Sequence, residues 1–349
     1  MKIVMKFGGS SLADGSRIQR CSGIVKRYKQ GNDIIVVVSA MGDVTDRLLE
    51  LTELAKNGNG DLIAKRVDTI QTLHFEATNH IANDRIREAA ESELSKLLAE
   101  LDKVLTASTM LKEVTPRTKD LILCYGERLS SIIFEHMLKD SGVECVRLLG
   151  GEAGIITDEV FGEATPLFEA SKSRIRSRLN PLLEKQIIPV VTGFIGSTQN
   201  GEITTLGRGG SDLTATLIAA ALKADEVWLW SDVDGIMTAD PKIIPNAKTI
   251  PQISYAEALE MTAFGAKAIH PRAIEPVAEE GIPVRVKNTF AEEKSGTLIT
   301  SDTQLKAGEV VKALALVRDV GLITISGAGM VGKLGTAAKI FDVLAKSGV

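Results

Sequence analysis

The chain has 349 residues, which is enough for one large domain or two ordinary ones with an ample core. Hydrophobic residues make up 44% and charged residues 25%, proportions typical of a soluble globular protein, and no apolar run approaches the ~18 residues of a membrane span. The formal net charge of −4 gives no electrostatic reason to expect a nucleic-acid partner.

The first sixty residues predict strands that alternate with helices. Residues 1–7 read as a buried strand that runs into a glycine turn at Gly8 and Gly9. Residues 33–39 are a continuous β-branched run, which is typical of a strand covered on both faces. Helices are predicted from about 16 to 30 and after the turn at 41–45.

Residues 61–113 predict a charged, helix-rich insertion with the pattern of a helical hairpin. Four leucines repeat in it at helical spacing: Leu94, Leu98, Leu101 and Leu105. This stripe predicts either core or packing against a second subunit, because an apolar stripe on a helix must be covered.

The next part of the chain continues the alternation. Helices are predicted at 118–138, at 171–183 with an end near Pro181, and at 213–222; strands are predicted at 143–148, 187–194 and 226–231. The pattern predicts an α/β fold with an open, mainly parallel sheet sandwiched by helices. Sites in such sheets gather at the carboxyl ends of strands. The residues expected at those ends are Gly8, Ser39, Gly196 and Ser231.

The cysteines and histidines predict neither disulfides nor a metal site. Cys21, Cys124 and Cys145 form no CxxC pair, which predicts reduced, mostly buried thiols in a cytoplasmic protein. His74 and His80 are six residues apart and so lie on different faces of a helix, which makes zinc binding improbable.

Two glycine turns predict a phosphate site. Residues 203–216 read ITTLGRGGSDLTAT, in which either Ser211 or Asp212 could cap the following helix and its free N–H groups would favour an anion. Lys6 precedes the other turn among strand apolars, where a lysine needs a negative partner such as Asp212 or a phosphate. Neither turn fits the usual nucleotide P-loop, and an ordinary strand-to-helix loop is the alternative for each. Together they suggest phosphoryl transfer.

Six motifs in order resemble the aspartate kinases of the amino-acid kinase family. They are KFGGSS at 6–11, VSAMGDVT at 38–45, YGER at 125–128, GRGGSD at 207–212, SDVDGIMTADPK at 231–242 and FGAKAIHP at 264–271. The resemblance covers roughly residues 1–300. It implies an amino-acid kinase fold, ATP as co-substrate, and L-aspartate as the acceptor of the phosphoryl group.

The resemblance also implies roles for individual residues. Lys6 and Asp212 would be catalytic, with Lys6 on the transferred phosphoryl group and Asp212 orienting it. Substrate aspartate would be bound by Arg208 and Thr45, with Glu127 on its α-ammonium group and Ser39 and Ala40 beside its carboxylate. Phosphate contacts would come from Gly8, Gly9, Ser10, Gly209, Gly210 and Ser211.

The remaining nucleotide contacts implied by the resemblance are Ser231, Asp232, Met237, Lys242, Lys267 and Ala268. Met237 replaces the tyrosine of many relatives and Lys242 replaces an arginine, so these two are departures from the family pattern. A Mg²⁺ ion bridging the ATP phosphates is expected, but the sequence contains no dedicated cluster of acidic ligands, and no metal-binding residue is assigned. His270 is predicted to be structural rather than a base.

The C-terminal part begins after a loosely patterned boundary near 290–309. Residues 310–349 read strand, strand, glycine turn, helix and resemble the opening of an ACT regulatory module, of which they would be an incomplete part. The chain would therefore end within the module, through truncation or through an atypical gene product. Gly327, Gly329 and Gly332 match G-x-G-x-x-G, but the acidic residue expected ~20 positions further on is missing, so dinucleotide binding is not predicted.

The function implied is ATP-dependent phosphorylation of the β-carboxylate of L-aspartate to 4-phospho-L-aspartate, the first step of lysine, threonine and methionine biosynthesis. Two alternatives stay open: a kinase for another small carboxylate, and a catalytically weak regulatory subunit. The resemblance also implies a homodimer or higher homo-oligomer, with lysine or threonine as a possible effector of a complete form and weak or absent inhibition in this one. No nucleic-acid or membrane partner is expected.

Overall fold

Strands and helices alternate through the part of the chain that this computed structural model describes, namely residues 1–263, 269–301, 311–316, 321, 324 and 335–347. The strands are β1 (Lys2–Phe7), β2 (Asp33–Val38), β3 (Cys145–Leu148), β4 (Ile156–Thr157), β5 (Ile188–Thr192), β6 (Ile195–Thr198), β7 (Ile203–Thr205), β8 (Glu226–Ser231), β9 (Gln252–Ser254), β10 (Val284–Asn288) and β11 (Thr297–Thr300). The helices are α1 (Gly15–Tyr28), α2 (Val44–Lys56), α3 (Gly60–Thr78), α4 (Asp84–Leu111), α5 (Pro116–Leu123), α6 (Tyr125–Asp140), α7 (Gly150–Ala153), α8 (Phe168–Glu184), α9 (Gly210–Leu222), α10 (Tyr255–Ala263), α11 (Glu275–Glu280) and α12 (Thr336–Lys346). Short 3₁₀ turns follow β1 and precede α11.

An eight-stranded sheet has the order β3-β5-β2-β1-β8-β10-β11-β9, and only the β10–β11 pairing is antiparallel among its described pairs. The predicted open, mainly parallel sheet is therefore confirmed. Phe7 lies in register with Val38 of β2 and Trp230 of β8. The carboxyl ends of these three strands consequently meet at one edge, as predicted for Gly8, Ser39 and Ser231.

The expectation for Gly196 is wrong. This glycine lies inside β6, in a separate three-stranded sheet of order β4-β6-β7. The strand predicted at 187–194 ends at Thr192, because Phe194 adopts a φ of 65° and turns the chain toward β6. Gly193, not Gly196, follows the end of β5.

The two faces of the large sheet are covered by different helices. Ile3, Met5 and Phe7 pack into the cluster formed with α1, α4 and α6, whereas Val4 packs into the cluster with α8 and α9. Side chains alternate between the faces of a strand, so Lys6 shares the face of Val4 and is directed toward α9. The four leucines at 94, 98, 101 and 105 are all buried in the first cluster, which confirms the prediction that they form core.

Three helix boundaries differ from the sequence predictions. The helix predicted at 118–138 is two helices, α5 and α6, which meet at Cys124. Pro181 lies within α8 instead of ending it, in the last turn, where one missing N–H donor interrupts little. Neither Ser211 nor Asp212 caps α9, because the helix begins one residue earlier and its N-cap is Gly209.

The described chain divides into two units, Met1–Ala315 and Leu316–Val349. In the second unit the described helix is α12; the glycines at 327, 329 and 332 lie outside the described residues. The predicted incomplete ACT module, with its boundaries at 310–349, stays a prediction. Among the described helices, none combines the length and the apolar character needed to cross a bilayer.

Candidate active site

Lys6 and Asp212 form an ion pair where β1 meets the first turn of α9. Lys6 Nζ lies 2.5 Å from Asp212 Oδ1, and both side chains are about one-seventh exposed, at 14% and 15%. Asp212 is available for this contact because Gly209 occupies the cap position. The carboxylate of Asp212 offsets the charge of a lysine that lies largely out of solvent.

The turn after β1 lies against two neighbouring segments. The Gly8 N–H donates to the Trp230 carbonyl at 3.1 Å, and a Cβ on Gly9 would lie 2.9 Å from the carbonyl oxygen of Gly42. Ser10 Oγ donates to Asp232 at 3.1 Å, so the turn also contacts the end of β8. A side chain at Gly9 would separate the segments, which is why this position requires glycine.

The turn before α9 presents a free cation to solvent. Gly207 and Gly209 have φ values of 72° and 74°, in the left-handed region that favours glycine. Between them, Arg208 is exposed and makes no ion pair with any described residue. Gly210 and Ser211 begin α9. The Gly210 N–H donates to the Gly207 carbonyl at 3.0 Å, and the helix N-terminus as a whole favours an anion.

Glu127 is a buried carboxylate without a cationic partner. Its side chain is 3% exposed, and Oε2 accepts no hydrogen bond from the described residues. Burial raises the pKa of Glu127 to about 8, although a hydrogen bond to the Ala40 backbone and the charge of Lys6 work in the opposite direction. Such a group gains most from a positively charged ligand that replaces the missing partner.

The Ser39–Ala40 segment packs directly on the helix that carries Glu127. Ser130 Oγ donates to the Ser39 carbonyl at 2.6 Å, and a Cβ on Gly126 would lie 2.8 Å from Ala40 Cβ. Thr45 is half-buried in the first turn of α2, next to Val44, which also faces Gly126. The segment at 39–45, which is predicted to bind substrate, thus packs on the helix that carries Glu127.

The predicted nucleotide contacts are only partly brought together. Ser231 ends β8 and Asp232 contacts Ser10, beside the first turn. Met237 lies further along, bridged to Thr249, and Lys242 is exposed in a turn where its backbone N–H donates to Asp240. Lys267 and Ala268 lie outside the described residues.

Several residues that support the turns have no signature in the sequence. Ser11 and Thr289 share a buried hydrogen bond of 2.7 Å across 278 positions of the chain. Arg17 Nη1 donates to the Ser10 carbonyl at 2.6 Å. Serine, threonine and arginine are common in loops and on helices, so no local pattern could have distinguished these contacts.

His270 packs against the second turn. A Cβ on Gly209 would lie 2.2 Å from His270 Cβ, and burial, together with the charge of Arg272, lowers the pKa of the imidazole. Its Nδ1 accepts from the Arg272 N–H at 3.4 Å, a local contact at the 3₁₀ turn. These contacts are those of a structural residue, as the sequence predicted.

The described residues do not form a metal cage. None of their His, Cys, Asp and Glu side chains gather in groups of three. Asp212 is paired with Lys6, and Asp234 is held by Asn288 and Lys294. Mg²⁺ commonly binds through substrate phosphates with one or two carboxylates, so the donor set gives no reason to assign it a site made by the protein alone.

A cavity of about 390 Å³ lies away from the glycine turns, between α4, α6 and β3. Two ion pairs lie in its lining: Arg147 contacts Glu93 at 2.5 Å and Arg128 contacts Glu100 at 3.2 Å. The catalytic candidates are therefore outside this cavity, along the edge where the strands end.

The family comparison agrees with this arrangement. The model of the amino acid kinase family matches residues 1–288. The chain therefore belongs to the amino acid kinase family.

Within that family, the chain is similar to named aspartokinases. It is 36% identical over 351 residues to aspartokinase 1, chloroplastic, of Arabidopsis thaliana, with 99% of this chain and 60% of that protein covered. It is 33% identical to lysine-sensitive aspartokinase 3 of Escherichia coli, with 99% and 74% covered. The chain spans about three fifths of the length of the plant relatives, 60% to 63%.

Solved structures extend the similarity to the fold. E. coli aspartokinase III in complex with aspartate and ADP superposes with a TM-score of 0.85 at 31% identity, covering 99% of this chain and 74% of that one. The complex of the same enzyme with lysine and aspartate gives a TM-score of 0.83 at 33% identity and the same coverage.

Proposed function

We propose that the chain is an ATP-dependent kinase that phosphorylates the β-carboxylate of L-aspartate, giving 4-phospho-L-aspartate and ADP. The observation that carries the proposal is the buried, unpartnered carboxylate of Glu127 within the electrostatic influence of Lys6. Lys6, which would contact the phosphoryl group, thus lies near Glu127, which has no cationic partner among the described residues. An amino acid with a second carboxylate would supply the cation through its ammonium group.

The reaction needs little acid–base catalysis. The attacking carboxylate is ionised at neutral pH, since an unperturbed side-chain pKa is ~3.9. One of its oxygens would form a bond to the γ-phosphorus, the bond from that phosphorus to the bridging oxygen would break, and ADP would leave with the electron pair. No proton has to move, so catalysis consists of bringing two anions together.

The residues of the site divide this task. Lys6, oriented by Asp212, would offset the charge of the transferred phosphoryl group. The backbone N–H groups of Gly9 and Gly209 would donate to phosphate oxygens. The N–H groups of Gly8 and Gly210 already donate to the carbonyls of Trp230 and Gly207, and the Ser10 hydroxyl donates to Asp232, so these three residues would line the phosphates. Arg208 has a planar fork that matches a carboxylate and no competing ion pair among the described residues.

Aspartate as acceptor is supported by the likeness to aspartokinases, and the solved E. coli relative holds aspartate and ADP. Mg²⁺ would enter with the phosphates of the nucleotide, where it would neutralise part of their charge. A homo-oligomeric state, an amino-acid effector and a role at the start of lysine, threonine and methionine synthesis remain predictions. A cytoplasmic location is proposed from the three free thiols, which suit a reducing compartment.

A hydroxylamine assay that traps acyl phosphate tests the proposal. It would compare L-aspartate, L-glutamate, N-acetylglutamate and no acceptor, with ATP and Mg²⁺, in wild type and Lys6→Ala. We expect hydroxamate with aspartate alone and a loss of at least ~100-fold in Lys6→Ala, because the main positive charge on the phosphoryl group is gone.

Lys2→Ala is the matched control, since Lys2 lies on the same strand but donates to the Leu222 carbonyl at the opposite end. It should retain activity within about threefold, as most substitutions remote from a site do. Absence of hydroxamate with every acceptor, in a folded protein that binds ATP, would contradict the proposal and favour a regulatory subunit.

A further inference from the structure

A buried aspartate outside the catalytic residues connects two segments of the site. Asp120, on α5, is 0% exposed and accepts three hydrogen bonds. Its Oδ2 accepts from the N–H groups of Gly162 and Thr205, both at 2.9 Å, and its Oδ1 accepts from Thr205 Oγ1 at 2.7 Å. Within the described residues it makes no ion pair, and these donors, with the charge of Lys119, partly offset the burial that raises the pKa of Asp120.

The segment that Asp120 holds is the one that delivers Arg208. Thr205 is the last residue of β7, and only Leu206 and Gly207 separate it from the arginine. The Thr205 carbonyl in turn accepts from the Ala164 N–H at 2.9 Å, so the loop at 162–164 is tied to the same point. A Cβ on Gly207 would lie 2.9 Å from Glu163 Cγ, which places that loop against the glycine turn itself.

Arg272 also holds the segment at 205–206 and the loop at 162–164. Arg272 donates through Nη1 to the Leu206 carbonyl at 3.0 Å and through Nη2 to the Ala164 carbonyl at 3.3 Å. Thr205 and Leu206 are therefore both fixed by charged side chains from distant parts of the chain. The two side chains have different roles: Arg272 donates to backbone carbonyls of these two segments, whereas Asp120 accepts from their backbone N–H groups.

Asp120 lies on the helix that precedes α6, which carries the residue that would bind the substrate ammonium group. Its carbonyl accepts from the Cys124 N–H at 3.0 Å, and the Cys124 carbonyl accepts from the Arg128 N–H at 3.2 Å, across the joint between α5 and α6. This nearly continuous helix places Glu127 two turns beyond Asp120. The Asp120 side chain thus joins α5, which leads directly into the helix of Glu127, to the strand that leads to Arg208.

We propose that Asp120 is a positioning residue that sets the separation of Glu127 and Arg208, and through it the affinity for a dicarboxylic α-amino acid. The inference rests on the proposed function, because these two residues would hold the ammonium group and a carboxylate at opposite ends of one substrate. Asp120 does not touch the substrate; it acts through Thr205.

The test compares four variants in the hydroxamate assay, with aspartate and ATP varied separately. In Asp120→Ala we expect the KM for aspartate to rise roughly tenfold or more, because small displacements of positioning groups cost that much, while the KM for ATP changes less than about twofold. Asp120→Asn should restore the KM for aspartate to within about threefold, since the amide oxygen can accept both N–H groups and Thr205 can redirect its hydroxyl to the Gly162 carbonyl.

If Asp120→Ala fails to fold, Thr205→Val can be measured in its place, because it replaces the hydroxyl that donates to Asp120 with a methyl group of similar shape. It should raise the KM for aspartate by a smaller factor, about threefold. Asp140→Ala is the matched control: Asp140 accepts two backbone N–H groups, from Ala82 and Asn83 at 2.9 Å each, at the far end of α6. It should leave both KM values unchanged.

An unchanged KM for aspartate in folded Asp120→Ala and Thr205→Val would overturn the inference, as would an equal rise in both KM values. If wild type forms no hydroxamate, the proposed function fails, and amide hydrogen exchange then decides the inference separately. Exchange at residues 205–208 should be faster in Thr205→Val and Asp120→Ala than in wild type and Asp140→Ala. Unchanged exchange would show that Asp120 does not hold this segment and would overturn the inference as well.

Discussion

Glu127 and Lys6 are both ionisable and both shielded from solvent, yet the fold treats them differently. Lys6 has a carboxylate at 2.5 Å, so its charge is offset within the protein. Glu127 has only a backbone hydrogen bond near Ala40 and a carboxylate oxygen without a partner. Its pKa of about 8 means that the carboxyl group is mostly neutral at pH 7 in the free protein. A positively charged group on the ligand is therefore needed to stabilise the ionised form of Glu127.

The first prediction concerns the pH dependence of aspartate binding. The ammonium group of the ligand favours the ionised form of Glu127, so binding lowers its pKa and releases a proton at pH 7. Affinity should therefore rise with pH from 6 to 8, by up to about tenfold per unit, and level off above the pKa of about 8. Isothermal titration calorimetry in buffers of different ionisation enthalpy would measure the release.

Glu127→Gln provides the control for this prediction. The variant has no carboxyl group to titrate, so it should bind aspartate more weakly, release no proton and lose the pH dependence between 6 and 8. Equal binding enthalpies for wild type in all buffers would show that Glu127 does not change its protonation on binding.

At the scale of elements, the start of α9 depends on glycine backbone rather than on a polar cap. The cap residue is Gly209, at a φ of 74°, and no side chain bonds to the free N–H groups there. Donors left free at a helix N-terminus can bind an anion. Because neither Ser211 nor Asp212 is used as the cap, Asp212 can reach Lys6 across the face of the sheet.

The second prediction separates backbone strain from steric fit at this turn. Gly209→Ala places a Cβ in a left-handed conformation and 2.2 Å from His270 Cβ, so the turn has to move. We expect kcat/KM in the hydroxamate assay to fall at least ~10-fold, since the phosphate donors shift with the turn.

Gly201→Ala is the matched control, because Gly201 has a φ of 85° and open space around its Cβ position. It should lose about 1 kcal/mol of stability, the cost of the left-handed conformation, and keep its activity. An equal loss of activity in both variants would indicate that the left-handed strain, and not the contact with His270, causes the loss of kcat/KM in Gly209→Ala.

At the scale of the whole molecule, the chain buries its three thiols within the unit Met1–Ala315. Cys21 and Cys124 are fully buried in the cluster on the α6 face of the sheet, and Cys145 is half-buried on the edge strand β3. Burial raises the pKa of the Cys124 and Cys145 thiols to about 12, and that of Cys21 also rises. Thiols in this state are poor nucleophiles, because the thiolate is the reactive form.

The third prediction follows from this burial. Labelling of the native protein with Ellman's reagent at pH 8 should be at least ~100-fold slower than that of free cysteine, with Cys145 the fastest of the three. In guanidinium chloride all three thiols should react rapidly. Cys145→Ser should remove the fastest native phase; rapid labelling of all three thiols in native buffer would contradict the burial described above.

The order of elements, the strand ends at Gly8, Ser39 and Ser231, and the pairing of Lys6 with Asp212 could be predicted from the sequence, because they depend on local chemistry. The β-branched run of β2 and the leucine stripe of α4 determine their own secondary structure and burial. Glycine turns directly after strands predict sites at strand ends, and the six motifs add the family. The predicted partnership of Lys6 with Asp212 is confirmed because the alternation of β1 directs Lys6 to the α9 face.

Tertiary structure decided what depends on residues far apart in the chain. The strand predicted at 187–194 ends at Thr192, and a second sheet begins at Ile195, because of the left-handed turn at Phe194, which a β-rich run does not predict. The bonds of Asp120 to Gly162 and Thr205 join segments 42 and 85 positions apart, and an aspartate on a helix carries no local sign of such partners. Burial and hydrogen bonding are properties of the packed chain. The raised pKa of Glu127 and the hydrogen bonds of Asp120 with Gly162 and Thr205 therefore become visible only once the sheet and its helices are assembled.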